Sequence, residues 1–422
     1  MDVVIQEKWN STSKAAYISL LFYAVSLPVS LVLLNNIAVG ILVLVWIFAI
    51  IKKDLQKPNN IVLFYLLLAF FAMHLLGTIY SENIKEAFSQ LERKSLLFIM
   101  PLVLGTLPRL SPKKVNTILI AFAVSTTLIS TLCLVSTFYN NLSQGIELEI
   151  YNAWYFSSDS LVNAYGFHPN YLAMYCVFSI FIFSRSFISA FQKKQYYKAL
   201  LISCLVLFLI VFVAMLSARM QIISLILITL FAITYYAVVK RKIFIGFVSI
   251  VFFGLVIASA IAFSPILKEK FKGLMNIELS KDNQKFSANL RLQKWDASYN
   301  IFIANPITGV GTGDMQDALQ KEYKELNYKV PYELEYNSHN QFLDTAGRLG
   351  LLGLIILLIN LFYPLFIAAK ENNGLYLSFL LLLILSCIPE VVLSLNKGIA
   401  FYAFVNSLFI FHGTKYNSEL HT

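Results

Sequence analysis

Three side chains in this 422-residue chain have the type and setting to act on a charged substrate: Arg219, Arg291 and His339. A guanidinium presents a planar fork that grips carboxylate or phosphate bidentately. Arg219, in Ser217-Ala218-Arg219, is the only charge in a very tight turn between two apolar runs. A charge there is costly unless paired, although an arginine that merely marks an interface gives the same pattern. Arg291 opens a helix-like stretch beside Trp295 and reads equally well as a solvated cation. His339 lies in Asn337-Ser338-His339-Asn340, which looks like the cap and first turn of a helix. A helix N-terminus opposes positive charge, so an imidazole placed there stays neutral and can accept a proton. His168, in His168-Pro169-Asn170, suits the start of another helix and has a structural or substrate-lining role. Gly309-Val310-Gly311-Thr312-Gly313 has neither dinucleotide nor P-loop spacing and reads as a tight turn. The histidines at 74, 168, 339, 412 and 421 are scattered, with no metal-ligand spacing, and no Gly-x-Ser-x-Gly elbow occurs.

These residues must be positioned by apolar helices. Apolar residues make up 58% of the chain and charged ones only 13%, about half the charge of a soluble domain. At about 20 residues per span, the apolar runs give twelve spans, near 15–33, 37–51, 61–79, 95–107, 116–138, 171–190, 199–216, 220–239, 243–264, 349–369, 374–388 and 398–412. The fourth is short and borrows length from the amphipathic stretch 85–94. The polar start leads into a retained first span, because no small-residue cleavage site follows it. Cys133, Cys176, Cys204 and Cys387 all lie inside apolar runs, so neither a disulfide framework nor a thiolate site is expected.

With a cytoplasmic N-terminus, seventeen basic residues fall in inside segments and five in short outside ones. That bias predicts both termini inside, and the net charge of +10 then reports topology, not nucleic acid. The predicted fold is an all-α polytopic membrane bundle of about twelve helices. Spans 1–9 occupy 1–264, with an outward segment at 139–170; a large, partly helical outward loop runs over 265–348; spans 10–12 and a cytoplasmic tail occupy 349–422. Within the long loop, 287–305 reads as a helix ended by Pro306, and Asp314 reads as the cap of another. Two arginines and a histidine facing the outer side of a membrane suit an anionic, lipid-linked substrate.

Arg291-Leu292-Gln293-Lys294-Trp295, Asn305 through Gly313, His339-Asn340-Gln341-Phe342-Leu343 and Gly347-Arg348-Leu349-Gly350-Leu351-Leu352-Gly353, following Ser217-Ala218-Arg219, resemble the O-antigen ligase family in order, spacing and membrane side. The resemblance implies transfer of a glycan from undecaprenyl pyrophosphate to a sugar hydroxyl, the lipid A core in ligases proper. The reaction takes place at the periplasmic face of a bacterial inner membrane, with no metal or nucleotide cofactor. It further implies that Arg219 and Arg291 engage the donor pyrophosphate and that His339 activates the acceptor; Asn340 and His168 are expected to line the substrate, with no family role carried over to His168. The family often carries an acidic residue in its late spans, for which Glu390 is the candidate. An O-antigen or exopolysaccharide polymerase is the nearest alternative, a protein O-glycan ligase a lesser one. A secondary transporter is less favoured, because the spans hold few ionisable groups and no repeat.

Overall fold

The computed structural model describes residues 10–146, 155–239, 254 and 287–413. Among them the chain is all helix, without strands. The first helices are α1 (Ser11–Ser26), α2 (Val32–Ile51), α3 (Ile61–Ile79), α4 (Ile84–Lys94), α5 (Leu96–Thr106), α6 (Pro112–Ser143), α7 (Asp159–Val162), α8 (Pro169–Gln192), α9 (Tyr196–Leu216) and α10 (Arg219–Val239). They are followed by α11 (Ser287–Ala304), α12 (Met315–Glu325), α13 (Lys329–Glu333), α14 (Gln341–Lys370), α15 (Gly374–Cys387) and α16 (Asn396–His412). Six of these, α2, α3, α6, α8, α9 and α14, are long and apolar enough to cross a membrane. The predicted ninth span and the first part of the long loop, through residue 286, lie outside the described residues apart from residue 254, as do 147–154 of the other outward segment.

Helix ends follow local chemistry more closely than apolar runs do. The apolar run predicted as span 1 continues to Leu33, but the helix stops at Ser26, because Pro28 has no N–H to donate. The fourth span is divided: amphipathic α4 and apolar α5 meet at Ser95.

α16 sits at the centre. Every residue from Gly398 to His412 is buried, as expected of a helix without a polar stripe. Phe401 packs on Phe122 of α6 (5.7 Å), Tyr175 of α8 (4.8 Å) and Phe379 of α15 (5.3 Å), offset ring contacts of the kind worth about 0.5–1.5 kcal/mol each. In this interior Tyr376 donates to Asn406 Oδ1 at 2.6 Å and Asn360 Nδ2 to the Leu66 carbonyl at 3.0 Å, while Asn406 Nδ2 and Asn360 Oδ1 are buried with no partner among the described residues. At the periphery α2 exposes Leu33, Leu44 and Ile51, an apolar outer surface suited to a membrane.

One joint fixes where the site forms. α14 breaks at Gly350 (φ 66°, ψ −164°), and the Pro306–Gly313 turn docks into the break. Leu351 N donates to Pro306 O (2.8 Å), Val310 N to Gly347 O (2.9 Å) and Gly311 N to Arg348 O (3.0 Å). Arg348 in turn reaches the Thr312 carbonyl and pairs with Asp344 at 3.3 Å. The glycine run is therefore a turn, as its spacing predicts, whose backbone closes on α14. A Cβ on Gly350 would overlap the Ile307 carbonyl at a φ that L side chains rarely adopt. Gly350→Ala is expected to lower stability by at least about 1–3 kcal/mol, read as a fall in Tm in detergent. Gly40→Ala, in open space on α2, is expected to leave Tm unchanged; equal melting of the two variants would contradict this account of the break.

Asp314 occupies the N-cap position of α12, as expected, but its side chain makes no cap hydrogen bond there. Its carboxylate accepts from Glu82 N (2.9 Å) and Asn83 N (2.7 Å), N–H groups at the start of α4 that the helix cannot itself satisfy. The loop is thereby tied to the membrane bundle.

Candidate active site

His339 is held in an uncommon backbone state, φ 44°. Its N–H donates to Asn337 Oδ1 (3.0 Å), and its carbonyl accepts from Trp295 Nε1 of α11 (3.1 Å). The next residue, Asn340, caps α14: its Oδ1 accepts from Phe342 N (2.9 Å) and Leu343 N (3.0 Å), a cap worth about 1 kcal/mol. The cap and first turn expected over residues 337–340 fall later: the helix begins at Gln341, Asn340 alone is its cap, and the imidazole sits one residue before it in non-helical backbone. Its ring meets Tyr336 edge-on at 5.7 Å.

The imidazole faces Glu390. His339 Nδ1 lies 3.4 Å from Glu390 Oε2, and the other carboxylate oxygen accepts from Asn170 Nδ2 at 2.8 Å. Burial alone would raise the Glu390 carboxyl. The His339 hydrogen bond and the fields of His339, His168 and Arg291 outweigh it and hold the group below its ordinary value, so it is ionised at neutral pH. His168 is the N-cap of α8, its Nδ1 accepting from Asn170 N at 3.3 Å; it lies near Glu390 without a hydrogen bond to it.

The segment that carries Glu390 is suspended from two other elements. Leu393 N donates to Gln341 Oε1 (2.6 Å), and Leu393 O accepts from buried Lys94 Nζ (3.0 Å). Gln341 follows His339 by two residues, so one side chain couples the loop bearing the histidine to the loop bearing the carboxylate.

Arg219 begins α10 two residues after Ser217, which turns the chain through φ 53°. Arg291 acts electrostatically on both Arg219 and Glu390. The cations and the His339–Glu390 pair therefore share one region. Lys294, one turn from Arg291 on α11, is 5% exposed, with Nζ 4.4 Å from the Tyr336 ring centroid. Burial and then the charge of Arg291 push its ammonium down to about 8, opposed by Glu390.

All four residues predicted to act on substrate, together with His168, reach this region. Asn340 spends its side-chain oxygen on the helix cap. Lys294, Asn170 and Gln341 are additional. Lys294 carried a signal in its three-residue spacing from Arg291, and Asn170 and Gln341 stood inside motifs already singled out, without a role of their own.

A family model described as O-antigen ligase matches residues 203–358. No curated protein matches the chain. The matched segment holds Arg219, Arg291, Lys294 and His339, whereas His168, Asn170 and Glu390 lie outside it, so the two sides of the His339–Glu390 contact come from different parts of the chain. The match and the apolar helices support a membrane glycosyltransferase of the O-antigen ligase or polymerase type. Residues 203–358, somewhat more than a third of the chain, are thus similar to the O-antigen ligase family.

Proposed function

We propose that the protein is an O-antigen ligase that transfers a glycan from undecaprenyl pyrophosphate to a sugar hydroxyl of the lipid A core. The reaction takes place at the periplasmic face of the bacterial inner membrane, with both termini cytoplasmic. The observation that carries this reading is the His339–Glu390 pair beside Arg291 and Arg219.

In this reading Glu390 accepts a hydrogen bond from the Nδ1–H of His339, holding the tautomer that leaves Nε2 as the base. Nε2 takes the acceptor hydroxyl proton as the oxygen bonds to the anomeric carbon. The bond from that carbon to the diphosphate oxygen breaks, and the electron pair leaves with the diphosphate. Direct displacement inverts the anomeric configuration. A positioned base is worth about 10²–10⁴-fold. The departing diphosphate needs no proton from a general acid; Arg219 and Arg291 stabilise the charge growing on it.

The test is transfer in proteoliposomes holding purified protein and a lipid-diphosphate glycan, with lipid A core as acceptor. The expected product is core carrying the glycan with inverted linkage. Lengthened lipid-linked chains in place of that product would establish the polymerase instead, and absence of both products would overturn the enzymatic reading.

A further inference from the structure

We propose that the C-terminal end of α11 and the turn that follows it are seated in the adjoining lipid leaflet, with Ile303 and Ile307 against lipid and Tyr299 at its boundary. The proposal takes only the membrane spans from the account above and is independent of the reaction.

α11 carries two apolar faces. Ala297 and Ile301 are buried against Met315, Leu319 and Tyr323 of α12, the small core of the loop. Tyr299 and Ile303 lie on the other side at four-residue spacing, with Ile307 four residues on, just past the helix end; they are 51%, 54% and 70% exposed. A helix between a protein core and water shows polar residues on its outer face. Here that face is apolar, and the loop's own core does not use it.

The surfaces on either side identify what covers it. Leu351 N donates to Pro306 O at 2.8 Å, so Ile307 adjoins the apolar stretch of α14, where Leu351, Leu352 and Ile355 are exposed. Tyr80 Oη donates to Thr308 O at 2.6 Å, which sets the turn against the end of α3, where Leu76 and Ile79 are exposed. Both α3 and α14 are long and apolar enough to cross a membrane. The stripe therefore continues the outer surface of two spans.

The depth of the turn agrees. Thr312 Oγ1 donates to His74 O (2.7 Å) and Thr312 N to Gly77 O (3.1 Å). These carbonyls lie about 3–8 Å inside the end of α3 at 1.5 Å rise per residue. At membrane depth, irregular backbone is tolerated only where protein meets its polar groups. The N–H groups from Gly309 to Gly313 are met in turn by Asn305 O, Gly347 O, Arg348 O, Gly77 O and Ser81 Oγ. Tyr299, one helical turn farther from the docked segment than Ile303, is of the amphipathic type enriched at membrane boundaries. Because α11 also bears Arg291, the leaflet then ties the height of that cation to the lipid surface.

The test uses nitroxide labels at Ile303→Cys and Ile307→Cys in nanodisc-embedded full-length protein. Cys204→Ser serves as background, since the other three cysteines are buried. Labels at Lys321→Cys on α12 and Ile355→Cys on α14 supply the water and lipid references. At 303 and 307 the ratio of collisions with oxygen to collisions with an aqueous nickel chelate is expected to exceed that at 321 severalfold and to approach that at 355. A ratio equal to that at 321 would overturn the proposal by placing the stripe in water. Shielding from both agents would overturn it by showing a protein cover, a second copy or another segment of this chain. A second measurement needs no variant: a phospholipid carrying a diazirine in its acyl chain is expected to mark wild-type residues 299–307, located by peptide mass spectrometry, and adducts confined to the spans would overturn the proposal. A label at 355 that meets the chelate would remove the span assignment of α14 itself, an outcome distinct from a wet stripe above a dry span.

Discussion

His339→Ala abolishes glycan transfer while leaving donor binding and abundance in the membrane close to wild type. The expected loss is about 10²–10⁴-fold in the single-turnover rate, the worth of a positioned general base. Donor affinity should hold because the imidazole is assigned to the acceptor hydroxyl and the cations to the diphosphate. The partner substitution separates base from orienter. Glu390→Gln keeps a side-chain oxygen for Asn170 but removes the charge opposite Nδ1; about a 10–100-fold loss is expected, by analogy with groups that orient metal-bound histidines. The pH dependence follows from the sign of the shift. The Glu390 carboxyl is held below its ordinary value. Its contribution to stability is therefore fully present above the ordinary carboxylate value and is lost as pH falls through the lowered one. Glu390→Gln should remove that acid-side loss, read as Tm against pH. Wild-type transfer by a folded His339→Ala protein would refute the role given to that side chain.

Arg291→Ala and Arg219→Ala each cut transfer by about 10²–10³-fold, the magnitude seen when one preorganised donor is removed from a developing anion. Arg291→Lys should not restore activity, since an ammonium cannot reproduce two parallel N–H bonds. The arginines act on each other electrostatically, so their effects should not add. The double alanine variant is expected to lose less than the product of the single losses, because a diphosphate already misplaced by one substitution gains little from the other arginine. Strict multiplicativity in single-turnover rates would mean that they serve separate sites.

The elements were largely legible in the sequence because each rests on local chemistry. The residues of α11 at three- and four-residue spacing and Pro306 beyond its end involve neighbours in the chain, whereas the start of α14, read over residues 337–340, falls just after them. Pro28 was equally local, and weighing its missing donor above the continuing apolar run would have ended the first helix at the right place. The break at Gly350 was not legible, because its cause is the Pro306–Gly313 turn arriving from elsewhere. Asp314 shows the same limit: a local cap was predicted, yet its carboxylate satisfies N–H groups 231 and 232 residues away.

The site divides in the same way. Arg219, Arg291 and His339 could be singled out because guanidinium and imidazole are few in such an apolar chain and their motifs resemble those of one family. Glu390 could be named only as a candidate through the resemblance, and only the folded chain sets it against His339. Lys94 and Gln341 had no role legible in the sequence. They act on the backbone of Leu393, and no residue pattern reports which distant peptide group a side chain will meet.

The central claim is that the cations and the His339–Glu390 pair form one donor-and-acceptor site, and a cryo-EM map of the protein in nanodiscs with a lipid-diphosphate glycan tests it most directly. The expected map places the diphosphate within hydrogen-bonding reach of both Arg219 and Arg291, with the anomeric carbon on the Nε2 side of His339. Diphosphate density away from either arginine, or a sugar on the opposite side of α11 from His339, would contradict it.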